Sequence, residues 1–205
     1  MARRSDHNRE ELCELALDAA KMIVKTDGFR ALTARNVADA IGYSPGTLYN
    51  LFDNLDGMIM HLNGRTLDTL YERLSSVRIH GIPEDDINGL LDGYLEFLED
   101  HPNLWRTLFE YKLPEGVNIP DWYLRKVEMA MGLVEHALSP LFDEDDEDGA
   151  KQAARILWAS LHGICSLSET GKLEVVTSQP VHDMAKGMVL HFITGLKQNL
   201  GKPNP

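Results

Sequence analysis

Thr47, Tyr49 and Asn50 lie close together in the segment Pro45-Gly46-Thr47-Leu48-Tyr49-Asn50-Leu51-Phe52. They supply two hydroxyls and a carboxamide, groups that both donate and accept hydrogen bonds without carrying charge. Groups of this size and planarity suit base edges and phosphate oxygens in a nucleic-acid groove. Leu48 and Phe52, one helical turn apart, can face the other way and anchor the segment. Ser44 stands at the N-cap, and Pro45 takes the first helical position, where its missing N–H does no harm. A helix from Pro45 to Phe52 is barely two turns long and too short to persist alone, so neighbours must hold it in place.

The preceding residues provide the first neighbour. Thr33 is a good N-cap, Val37, Ala38 and Ile41 recur at helical spacing, and Gly42 can end the helix in a left-handed conformation. Helix, glycine-containing turn and short capped helix make the helix-turn-helix pattern, whose second helix lies in the DNA major groove. Thr47, Tyr49 and Asn50 would then reach the groove from beside Pro45 and Gly46, with Thr33, Arg35 and Ser44 on phosphates.

On these residues the chain resembles the TetR family of bacterial transcriptional repressors. The resemblance rests on Leu32-Thr33, on Val37-Ala38 through Ile41-Gly42, on Gly46-Thr47-Leu48-Tyr49 and Phe52, and on Asp56, Met58 and Ile59. Leu157-Trp158-Ala159-Ser160-Leu161-His162-Gly163 also resembles the Trp-His-Gly type of C-terminal domain in that family. The family often carries a lysine where this chain has Leu55, and a histidine or aromatic residue where it has Leu51. That lysine usually serves a phosphate, so one contact lacks its usual cation here. The resemblance implies an all-α protein, with a three-helix DNA-binding domain at residues 1–54 and a larger helical ligand-binding and dimerisation bundle at 55–205. It further implies a homodimer on a pseudo-palindromic operator and release by a small molecule.

The chain of 205 residues, 43% hydrophobic, is long enough for a real core. No apolar run is long enough to span a membrane, and the N-terminal MARRSDHNREE never reaches the apolar stretch of a secretory signal. Cys13 and Cys165 are far apart and lack metal-ligand spacing, which suits a reduced, cytoplasmic protein. The net charge of −12 works against DNA affinity. Its distribution softens the conflict: residues 1–60 carry 7 Lys+Arg and 9 Asp+Glu, and the remainder 13 and 23. Arg3, Arg4, Arg9, Arg30 and Arg35 would have to supply the local positive edge. Arg3 and Arg4 read equally as a DNA-reaching arm or as a plain polar tail.

The remaining segments read as helices. A first runs from about Arg9 to Thr26, with a stripe of Leu12, Leu15, Ala16, Ala19, Met22 and Ile23. A long one from Leu55 to Val77 would span roughly 34 Å, with Gly57 and Gly64 as points of softness. Others cover Glu84 to Glu99, the Leu104–Phe109 region, Trp122 to Leu138, Ala150 to Glu169 and Pro180 to Leu200. The last two are apolar over more than one face. Leu161, Gly163, Met188, Phe192 and Gly195 would meet a second copy in a four-helix bundle.

Tyr94, Trp105, Phe109, Tyr123, Trp158 and His162 are the candidate lining of an apolar effector pocket, although His162 also reads as a bonded core histidine. The acidic run after Phe142 fails as a calcium loop. With Glu144, Asp146 and Asp148 as first ligands, the twelfth position would be Arg155 instead of Glu. No phosphate loop, HExxH, Gly-x-Ser-x-Gly or paired Glu-x-x-His set occurs, so neither an enzyme nor a cofactor is expected. A helical interaction module without DNA binding stays open as the alternative.

Overall fold

The computed structural model describes residues 7–116, 118–143 and 146–201. Among these residues there are ten α-helices and no strand. They are α1 Arg9–Asp27, α2 Ala34–Ile41, α3 Pro45–Phe52, α4 Leu55–Ser75, α5 Pro83–Asp100, α6 Pro102–Glu110, α7 Asp121–Leu138, α8 Glu147–Glu169, α9 Leu173–Val176 and α10 Val181–Asn199. Short 3-10 turns cover Phe29–Ala31 and Ser139–Leu141. Two compact units emerge. One contains residues up to 69 together with 97–126, and the other contains 70–96 together with 127 onward.

The first unit is built around α1. Asn8 and Glu11 close a capping box at its start, each side chain bonding the other's backbone N–H. The buried arc overlaps the expected stripe in part. Leu12 and Ala16 are buried with Leu17, Ala20 and Val24, and Ala19 and Ile23 pack against this core, while Leu15 is 36% and Met22 61% exposed. The reason is that α1 packs against α2, α3 and α6, and the small Ala16 and Ala20 let those helices come close. Leu32, Val37, Ala38, Leu48, Phe52, Met58, Ile59, Leu62 and Leu104 complete this core. At its edge, Arg65 of α4 donates to Asp18 at 2.9 Å and also to Glu14, tying α4 to α1.

Gly57 and Gly64 serve close packing rather than softness. A Cβ on Gly57 would lie 2.1 Å from the Phe52 carbonyl oxygen, and one on Gly64 would lie 2.7 Å from the Trp122 ring. The path into α4 is equally tight. Asp53 has φ 65°, the one positive φ outside glycine among the described residues. Asn54 then caps α4 by accepting from the Gly57 N–H at 2.8 Å.

In the second unit α8 packs on α10, α9 and the 139–141 turn. Leu157, Leu161, Cys165, Ala185, Val189 and Ile193 are buried there. Glu84, Asp85 and Asp86 fall in the first turn of α5, where a helix dipole favours anions, and Asp86 does more than that. Buried Asp86 accepts from the N–H groups of His80 and Gly81 at 2.7 and 2.8 Å, fixing the turn before the helix. Lys197, only 8% exposed, is paired with Glu84. The acidic run ends as a helix cap, with Asp146 accepting from the Gly149 N–H at 3.0 Å. Burial pushes the Cys165 thiol up to about 12, and the Cys13 thiol is raised for the same reason, so neither is an activated nucleophile. Among the described residues no helix is long and apolar enough to cross a membrane, and no three potential ligands cluster for a metal.

The two kinds of helical glycine give opposite expectations. Gly57→Ala should destabilise the chain by about 1–3 kcal/mol, because the added methyl meets backbone that cannot move aside. Gly132→Ala, in open space within α7, should stabilise it by about 0.5–1 kcal/mol. Urea unfolding of both variants checks this, and equal effects would contradict the close approach at Phe52.

Candidate nucleic-acid interface

The helix-turn-helix forms as the local chemistry requires. Thr33 caps α2 by accepting from the Asn36 N–H at 3.1 Å. Gly42 ends α2 at φ 75°, and its N–H bonds back to the preceding turn. α3 begins at Pro45 and ends at Phe52, with Leu48 2% and Phe52 5% exposed. These two side chains fix its rotation. Tyr49 is therefore left 47% exposed, with Asn50 and Gly46 exposed beside it and Thr47 half-buried. Among the described residues, only the Ser44 hydroxyl lies within 4 Å of a would-be Cβ on Gly46, at an ordinary contact distance of 3.7 Å.

Ser44 departs from its expected role. It occupies the N-cap backbone position, but its hydroxyl makes no cap hydrogen bond. It lies 3.1 Å from the Thr47 hydroxyl instead, so two candidate contact groups share one hydrogen bond. Arg35 is exposed and its nearest anion is Asp39 one turn on, at 3.9 Å, a pairing worth little in solvent. Pro45 is half-buried against the turn. Arg3 and Arg4 lie outside the described residues.

One functional support escaped sequence reasoning. Arg9, read only as a general cation, donates to the backbone carbonyls of Asn50 and Leu51 at 3.1 and 3.3 Å. It thus caps the last turn of α3, where carbonyls lack helical partners and a cation is favoured. The contact joins residues about forty apart in sequence, and no local pattern announces it. His7 similarly reaches Tyr43 in the turn, with Nδ1 3.1 Å from the phenol oxygen.

Comparison with known proteins decides the family. A family model described as bacterial regulatory proteins, tetR family, matches residues 16–61, and one described as tetracyclin repressor-like, C-terminal domain, matches residues 87–192. This chain belongs to the TetR family of transcriptional regulators. A helix-turn-helix regulator of Mycobacterium tuberculosis, itself uncharacterized, is 25% identical over 97% of this chain and 85% of its own. The repressor KstR2 of Rhodococcus jostii is 33% identical over 66 residues, 32% of each chain. Among solved structures, the regulatory protein SCO4313 gives a TM-score of 0.71 at 19% identity, over 95% of this chain and 100% of that one. Thermus thermophilus FadR, in complex with lauroyl-CoA, gives 0.65 at 17% identity, over 89% and 94%. At those identities the structures share the fold with this TetR-family chain.

The candidate effector residues of this regulator divide between its units. Trp105, fully buried, and half-buried Phe109 have ring centroids 5.2 Å apart in the first unit, which also holds Tyr123 with its phenol raised by burial. Trp158 and His162 stack at 5.3 Å and 17° in the second, which holds buried Tyr94. Of the candidate dimer residues, Leu161 is only 9% exposed. Gly163 and Gly195 have nothing within 4 Å of a would-be Cβ, and Met188 and Phe192 are half-buried. Apolar residues that sequence reasoning did not assign to a partner are more exposed, with Leu190 at 60% and Ile156 at 49%.

The different bonding of the two cap residues gives a test. Thr33→Ala should cost about 1 kcal/mol of stability, and Ser44→Ala clearly less, because only Thr33 satisfies a helix-end N–H. Thermal unfolding without DNA measures both, and a larger loss at Ser44 would contradict the cap assignments.

Proposed function

We propose that this regulator is a cytoplasmic homodimeric repressor that reads a pseudo-palindromic operator and is released by a small molecule. One observation carries the reading. α3 buries Leu48 and Phe52 and so turns Tyr49, Asn50 and Thr47 outward, along a helix that contains no carboxylate. That is the form of a groove reader, and an acidic interaction surface would look different. In this proposal residues 1–54 bind DNA and residues 55–205 respond to ligand and dimerise. Thr33, Arg35 and Ser44 meet phosphates, and Pro45, Gly46, Thr47, Tyr49 and Asn50 line the groove.

Two copies joined through α8 and α10 would present two α3 helices to half-sites, since protein two-fold symmetry is mirrored in the operator. Gly163 and Gly195, with open space above them, suit close approach by a partner, with Met188 and Phe192 on the Gly195 side of α10 and exposed Ile156 on the Gly163 side of α8. Leu161 would then support that surface from beneath. The effector contacts are assigned to Tyr94, Trp105, Phe109, Tyr123, Trp158 and His162. Release requires that the effector favour the form that does not bind DNA. A hundredfold preference corresponds to about 2.7 kcal/mol of coupling. Repression follows from steric exclusion of RNA polymerase.

Selection of duplexes from a random library, with wild type and Tyr49→Ala in parallel, tests the reading. An inverted repeat enriched by wild type alone is expected. No enrichment from effector-stripped, folded dimer at low salt would favour the interaction-module alternative. Arg35→Ala should weaken every sequence similarly and flatten the salt slope by about one. A change of sequence preference at constant slope would contradict its phosphate role. Gly195→Arg should give monomers in sedimentation velocity, and a persistent dimer would displace the proposed interface.

A further inference from the structure

Within the first unit, a cleft of about 660 Å³ opens between the turn after α1 and the end of α6. Its size falls within the usual range for small-molecule sites, roughly 300–1,000 Å³. None of the six proposed effector residues lines it. Two features of its walls point to one ligand chemistry.

The first feature is charge. Arg30, Arg106 and Lys112 all line the cleft, against Asp27 and Glu110. Cations therefore outnumber carboxylates here, in a chain whose net charge is −12. Arg30 and Lys112 are exposed and form no ion pair among the described residues, so their charge is available to a ligand.

The second feature is an aromatic wall. Phe29 is 37% exposed, with its ring centroid 5.4 Å from that of Tyr111 at 55°. The Tyr111 hydroxyl donates to Asp56 in the first turn of α4, which holds its ring in place. At the lip, Gly28 has φ 79° and ψ 173°, a conformation nearly restricted to glycine, and nothing lies within 4 Å of its would-be Cβ.

We propose that this cleft binds a small planar aromatic anion, its ring against Phe29 and Tyr111 and its carboxylate or phosphate held by Arg30, Arg106 and Lys112. Cations explain only the anionic end, and the ring pair explains the rest. Duplex DNA would satisfy the cations, but its bases are stacked inside and offer no free face to Phe29. The site is separate from the effector residues above, and it stands whether or not they bind a ligand. Because Tyr111 holds Asp56, an occupant against the Tyr111 ring would be linked through that side chain to the start of α4.

Calorimetric titration of the full chain tests this with four probes. Benzoate and adenosine monophosphate join a ring to a carboxylate or a phosphate, inorganic phosphate supplies only the anion, and adenosine supplies only the ring. One of the joined probes should bind one to one per chain, at least about tenfold tighter than phosphate or adenosine. Which of the two binds distinguishes carboxylate from phosphate. Phe29→Leu and Lys112→Gln should each weaken that probe by about tenfold. Lys112→Gln changes an exposed side chain and keeps the test intact if Phe29→Leu fails to fold. The proposal is overturned if neither joined probe binds at millimolar concentration, if phosphate alone binds as well, or if Lys112→Gln leaves the affinity unchanged. Loss of duplex affinity in Lys112→Gln without binding of either joined probe would reassign the cleft to the DNA backbone, again overturning it.

Discussion

A two-turn helix has too few hydrogen bonds to hold itself together. The outward face of α3 depends on burying Leu48 and Phe52 against α1, α2 and the start of α4. That burial sets the helix rotation, and the rotation decides that Tyr49 and Asn50 face out. The surrounding devices keep it from drifting. Arg9 caps the last carbonyls from outside, and Asp53 takes a strained conformation so that the chain can reverse. Gly57 allows α4 to begin against the Phe52 carbonyl. The helix is thus held at its far end as well as along its buried face.

The clamp also explains how an acidic chain can carry a DNA reader. Affinity for a duplex comes largely from phosphate neutralisation, which −12 net charge opposes at long range. Screening at physiological salt confines that opposition to within about 8 Å. Leu55 stands where the family often has a lysine, so in the proposed reading the burden falls on hydroxyls, backbone and Arg35. Contacts of that kind rely on position more than on charge, and position is what the buried face of α3 secures.

Charge inside the regulator is handled by pairing. Asp86 is almost fully buried, yet two backbone N–H groups satisfy it. Lys197 is buried beside Glu84. At the surface, Arg65 bridges two exposed acids of α1. Buried charge without such partners would be costly, and here each pair also fixes the place where a helix begins or crosses another.

The sequence by itself determined which segments are helical, where most of them stop, and which two form the helix-turn-helix. Those features depend on spacing and on Thr, Gly and Pro at helix ends, which act within one or two turns. The family resemblance was legible from the same residues. Tertiary structure decided the rest. The buried arc of α1 turned away from the stripe drawn through Leu15 and Met22, because α6 packs on it from the far end of the unit. The need for Gly57 follows from a carbonyl that comes close only when α3 and α4 meet. Arg9 found the end of α3, and Tyr111 found Asp56, across separations that no periodicity encodes. Ser44 gave its hydroxyl to Thr47 instead of a helix-end N–H. Local rules fix a helix and its caps. Which face is covered, and which side chain reaches a distant backbone, is settled only by the packing of whole helices.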